Sequence, residues 1–120
     1  MELMDLSLLM QDKIKSLEQG RTLIGKRGVD KANAISNYEK TLALTVLKIK
    51  NRKILEFEDE FIDEKLPANL VEKIAKGIVW KEKLEVEKCE ALYKAGIIGM
   101  QSIMAELNAL QSLNKYLDKV

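Results

Sequence analysis

The side chains able to do chemistry in this chain are few. Histidine is absent and Cys89 is the sole cysteine, which removes an intrachain disulfide, a zinc site built on cysteine and histidine, and any serine–histidine or cysteine–histidine nucleophile. A general base would have to be a carboxylate, a lysine or a tyrosine, and no paired arrangement of these stands out. Cys89, between Lys88 and Glu90, reads as a small buried hydrophobe rather than a reactive thiol. The acidic run Glu56 to Glu64 lacks the alternating ligands and central glycine of a calcium loop, and pairing with basic groups accounts for it. The expectation is a non-enzymatic protein with no metal and no cofactor.

Binding chemistry has better candidates. Lys26, Arg27 and Lys31 form one basic group, and Lys48, Lys50, Arg52 and Lys53 a second. The only tryptophan, Trp80, stands among Lys76, Lys81 and Lys83; its ring could stack on a base while the ammonium groups meet phosphates. Each signal has a plainer explanation. The second group closes a helix whose C-terminal end favours cations, Trp80 could anchor a helix break at Gly77, and Glu82, Glu85, Glu87 and Glu90 would repel phosphate nearby. A helix start at Gly28 to Asp30 would offer free amides to a small anion, as in a sequestering or inhibitory protein.

Length and composition bound what must position these residues. The chain has 120 residues, 47% hydrophobic and 32% charged, with one proline; that is material for one helical domain, outside the range of disordered chains. Net charge is +1, yet residues 1–55 hold 11 basic and 6 acidic groups, and residues 56–64 hold 6 acids and no base. Such polarity offers a basic and an acidic face at low net charge.

Leu3, Leu6, Met10, Ile14 and Leu17 step by three and four, predicting an amphipathic helix over about 2–20 that ends between Gly20 and Gly28. A second helix over 30–53, capped near Asp30, carries Ile35, Tyr38, Leu42, Val46 and Ile49, with Ala34, Leu44 and Leu47 widening the stripe. An acidic connection over 56–67 ends at Pro67, and Phe57 and Phe61 should both turn to the core. Helices over 68–76 and 78–118 follow, parted at Gly77.

The strongest pattern is in the last helix. Gly96, Met100, Ile103, Leu107, Leu110, Asn114 and Leu117 alternate steps of four and three, the spacing of a coiled-coil seam, with Asn114 as a register-setting polar residue. Gly96 and Gly99 suit close approach of another helix. Glu106 is the single charge between Ala95 and Asn114, so Ile97, Ile98, Met104, Ala105, Ala109 and Leu113 should also be shielded from water. At 1.5 Å per residue, a helix from Ile78 to Asp118 is about 60 Å long, against roughly 35 to 40 Å for a globule of this size. The fold class expected is an all-α antiparallel helical bundle with a long coiled-coil-like C-terminal helix. That helix is expected to form a homo-oligomer through Gly96, Gly99, Met100, Ile103, Leu107, Leu110, Asn114 and Leu117.

The run Lys31-Ala-Asn-Ala-Ile-Ser-Asn-Tyr-Glu-Lys-Thr-Leu-Ala43, then Ala75-Lys76-Gly77, Glu87-Lys88-Cys89-Glu90-Ala91-Leu92-Tyr93-Lys94-Ala95 and Leu107-Asn108-Ala109-Leu110-Gln111-Ser112 resembles small helical proteins encoded by bacteriophages and prophages. The resemblance covers residues 31–113 and implies a bacterial cytoplasmic setting and an accessory role in phage biology. A cytoplasmic place also follows from the acidic N-terminus, unlike a secretory signal, and from the polar residues that interrupt Ala95 to Leu113. The reading is a helical binding protein acting through protein partners, with a nucleic-acid accessory role as the alternative and no membrane contact.

Overall fold

The computed structural model describes residues 2–119. Its elements in chain order are α1 (Leu3–Lys50), a hairpin of β1 (Glu56–Phe57) and β2 (Glu60–Phe61), α2 (Ala68–Ile78) and α3 (Trp80–Asp118). The fold is all-α, with the long helices antiparallel. The described residues form two compact units: those up to Val29 together with those from Ala91 onward, and Asp30–Glu90.

Burial along both long helices follows one rule. On α1 the positions turned from water include Leu6, Met10, Lys13, Leu17, Gly20, Ile24, Arg27, Lys31, Ala34, Tyr38, Thr41 and Thr45; on α3 they run Glu82, Val86, Cys89, Tyr93, Gly96, Met100, Ile103, Leu107, Leu110, Asn114 and Leu117. Steps of four and three alternate throughout, so each helix keeps one seam toward its neighbour.

The glycines of α1 do not end it. Helix 2–20 and helix 30–53 are one uninterrupted α1, and Asp30, expected at a cap, lies inside it. No glycine has positive φ; Gly20 and Gly28, at seam positions, lie against side chains of α3 instead. A Cβ on Gly20 would lie 3.1 Å from Met100 Cγ, one on Gly28 would lie 3.5 Å from the Tyr93 ring, and one on Gly96 would lie 3.1 Å from Ile24 Cγ1 and 3.2 Å from Arg27 Nη1. Rising numbers on α1 thus meet falling numbers on α3. Ile14, expected on the buried stripe, is 45% exposed because Lys13 holds the seam position and pairs with Glu106, and Leu3, at the first position of α1, is 46% exposed.

In the unit Asp30–Glu90 the core is Ile49, Ile62, Val71 and Ala75, joined by half-buried Leu42, Val46, Ile54, Phe57, Leu66, Ile74 and Ile78. Burying each of Ile49 and Ile62 contributes on the order of 2 kcal/mol. Val71, Ile74, Ala75 and Ile78 lie on one face of α2, at the spacing a short amphipathic helix requires. Leu44 and Leu47, read as widening the α1 stripe, stay exposed.

Helix α1 closes without glycine. Arg52 takes φ 60° while Lys53 N donates to Lys48 O at 2.8 Å, a left-handed cap. Arg52 Nη1 donates to Ile62 O at 2.8 Å and its guanidinium sits 5.4 Å from the Phe61 ring centre, so tertiary contacts offset the backbone strain. In the hairpin Glu56 pairs with Phe61 and Phe57 with Glu60. Glu58 and Asp59 at φ 50° and 66° make the two-residue turn that matches strand twist. The pleat sends Phe57 and Phe61 to opposite faces. Phe57 meets Gly77, where a Cβ would be 3.0 Å from its ring, whereas Phe61 is 68% exposed; the expectation of two core rings fails for Phe61. The break between α2 and α3 falls at buried Val79 rather than at Gly77, which is helical.

The continuity of α1 has a measurable signature. Nothing lies within 4 Å of a Cβ built on Gly25, so Gly25→Ala should raise stability by about 1 kcal/mol, or roughly 3–5 °C in Tm. Gly20→Ala should gain less, since Met100 must move. Equal gains, or a loss at Gly25, in thermal circular dichroism would contradict the continuous helix.

Candidate interaction surface

The residues singled out for oligomer contact divide on inspection. Gly96 and Met100 pack on α1 of the same chain, Leu107 is buried, and Ile103, Leu110, Asn114 and Leu117 are half-buried. The seam marked for a second copy is therefore filled from within, because the continuous α1 supplies a partner that a helix ending near Gly20 could not. Gly99 is the exception: it is exposed, with no atom within 4 Å of a Cβ built there.

The opposite face of α3 has no such cover. Ile98 is 62% and Tyr116 66% exposed, and Ser102, Ala105, Ala109 and Ser112 between them are exposed as well. Met104 and Leu113 flank this face, exposed, and Ile97 is half-buried, so within one chain the shielding expected for these side chains is incomplete. Two shallow apolar clefts adjoin it: one of about 490 Å³ lined by Ile24, Ile97, Met100 and Met104, and one of about 350 Å³ lined by Leu9, Ala109, Leu110 and Leu113. The lone charge, Glu106, is held by Lys13. Outward positions of α1 include charged and polar Asp12, Lys15, Gln19, Thr22 and Lys26 together with exposed Leu8 and Val29, so that face carries charge that the outward face of α3 lacks. The lack of charge on α3 is plain in the sequence; the seam from Gly96 to Leu117 faces α1 of the same chain, and the side from Ile98 to Tyr116 is left exposed.

The basic candidates also divide. Arg27 Nη1 donates to Leu92 O at 2.9 Å, Lys31 lies in the seam with an interaction of its own, and Arg52 is committed to the hairpin and to Glu64 at 3.9 Å. Lys26, Lys48, Lys50 and Lys53 stay exposed. Trp80 does not anchor the helix break: Val79 does, while Trp80 is 54% exposed with Lys81 Nζ 5.6 Å from its ring centre. Gly28 to Asp30 offers no anion site, since its amides lie in mid-helix and are bonded within α1. Among the described residues no cluster of acidic or cysteine side chains could hold a metal ion, and no helix is long and apolar enough to cross a membrane. No family model, curated protein or solved structure matches the chain.

Cys89 is 8% exposed in the seam, its Sγ 3.5 Å from Glu85 Oε1. Burial, then the hydrogen bond and charge of Glu85, push its pKa above the ordinary thiol value, with Asp30 adding to the effect. A pKa raised on folding gives a stabilising term that is full below the unfolded thiol's pKa and lost as pH climbs through the folded value. Alkylation by iodoacetamide at pH 8 should therefore be at least about tenfold slower in the native than in the unfolded protein; equal rates would show an accessible thiolate.

Proposed function

We propose that this chain is a non-enzymatic accessory protein that acts by protein–protein association, first with copies of itself. One observation carries the reading: the outward face of α3 from Ala95 to Asn114 is exposed and, Glu106 aside, uncharged. A solvent-facing helix ordinarily carries charge there; this face instead mixes exposed Ile98, Met104 and Leu113 with alanines and neutral polar residues, which supports a contact site. The resemblance to phage-encoded helical proteins supports an accessory role in a bacterial cell. Light scattering at micromolar concentration should give a multiple of 13.7 kDa. Ile98→Lys should return the mass to one chain with helicity unchanged, because Ile98 is 62% exposed and the chain's own packing makes little use of it. A wild-type mass of one chain would end the proposal.

A second reading, a nucleic-acid accessory protein, is favoured by one feature, the exposed Trp80 ring beside Lys81. It retains Lys48, Lys50, Lys53 and Trp80 as contacts. Tryptophan fluorescence should then be quenched by single-stranded oligonucleotide at low salt, and about three phosphate contacts should give a log–log salt slope near −2. An unchanged spectrum at low salt would remove it.

A further inference from the structure

We infer that the end of α1 and the start of α2 form a binding site for an amphipathic anion, one with a carboxylate head and a single unbranched alkyl tail. The site uses only residues of Asp30–Glu90 and shares none with the face of α3 assigned to association. Two clefts meet there. One, of about 430 Å³, has Ile49, Ile62, Leu66 and Val71 as its floor and Lys50 and Arg52 at its rim. The other, of about 570 Å³, runs between Leu42, Ala43, Val46 and Leu47 of α1 and Ala68 of α2. Lys50 and Ala68 line both, so the clefts join at that pair of residues. Each is of a size that holds small molecules, which bind in apolar cavities carrying a few placed polar groups.

Charge sets the polarity of the occupant. Lys50 is exposed and pairs with no carboxylate among the described residues. Arg52 gives Nη1 to Ile62 O and turns Nε to Glu64 at 3.9 Å, which leaves the donors of Nη2. The acids beside them are engaged: Glu64 with Arg52, and Asp63 through Oδ1, which accepts the Lys65 amide at 2.9 Å. The start of α2 lies at the same junction, without a side-chain cap or an acid in its first turn, and favours the same sign of charge. At the far end of the apolar cleft stand Glu39 and Glu72, the latter 3.4 Å from Lys76. A carboxylate is therefore drawn to the Lys50 end and repelled from the Glu39 end.

The walls set the tail. From Glu39 to Lys50 the α1 wall is about 16 Å long at 1.5 Å per residue, and Leu47 on it is 54% exposed, an apolar side chain that a tail would cover. Between Leu42 and Leu47 the cleft presents no polar side chain, so hydroxyl or amide groups on the tail would be left unpaired there. A plain hydrocarbon chain has no such groups.

The test titrates the full chain with dodecanoate, kept below its micelle-forming concentration, by isothermal calorimetry. Saturable binding of one molecule per chain is expected, with dodecyltrimethylammonium, which has the same tail and the opposite head, at least about tenfold weaker. Leu47→Glu and Lys50→Glu should each raise the Kd for dodecanoate at least about tenfold. Leu44→Glu and Lys48→Glu make the same changes at positions that line neither cleft, and should leave it within about twofold. All four positions are exposed, so helicity by circular dichroism should match the wild type. The comparison of head groups uses wild-type protein and decides the matter even where a variant loses helicity. No binding of dodecanoate, equal binding of the cationic amphiphile, or equal losses at Leu44 and Leu47 would each overturn the site.

Discussion

The contact of α1 with α3 is built around glycines standing at seam positions where a coiled coil normally places an apolar knob. Gly20 receives Met100, Gly28 receives Tyr93, and Gly96 receives Ile24 and Arg27, so the two backbones approach where the side chain of one helix enters the space left by the other. Each missing side chain weakens the isolated helix by about 1 kcal/mol relative to alanine, and the interlock offsets that loss only in one register. Sliding by a heptad would set Met100 against Lys13 or Arg27 and take Lys13 away from Glu106. The pairing is specified by size and charge together, with apolar content contributing less than in a leucine-rich seam.

That device explains what could be read from the chain and what could not. The seam of α3 is apolar at nearly every contact position, and its spacing announces it from Gly96 to Leu117. On α1 the same spacing is occupied by Lys13, Gly20, Arg27, Lys31, Thr41 and Thr45, none of which a hydrophobic pattern detects. Three glycines within nine residues then look like a turn, although Gly20 and Gly28 lie in the seam against Met100 and Tyr93, Gly25 is exposed, and none of them uses a positive φ. Taking α1 for two helices removed the partner of α3, and a second copy was called upon to fill a seam the chain fills for itself.

The acidic stretch was legible as a connection but not as a hairpin, since glutamate and aspartate are poor predictors of a turn with two positive φ angles. What holds it is remote in sequence: Arg52, itself left-handed, bonds the carbonyl of Ile62 and covers Phe61, while Phe57 fills the space above Gly77. The basic residues that suggested a ligand were partly this scaffold. Arg27 and Arg52 spend guanidinium donors on carbonyl oxygens, whereas Lys26, Lys48, Lys50 and Lys53 are exposed on the surface.

The assembly of one unit from two segments far apart in the chain has a bearing on biosynthesis. Asp30–Glu90 is a contiguous stretch whose core can collapse as soon as it has left the ribosome. The opening turns of α1, carrying Leu6, Met10, Leu17 and Ile24, are translated before that stretch yet must wait for the residues from Ala91 onward before finding their mates. During that interval the nascent protein displays an uncovered apolar strip, which makes these turns the natural place for a holding chaperone, or for a neighbouring nascent copy, to intervene.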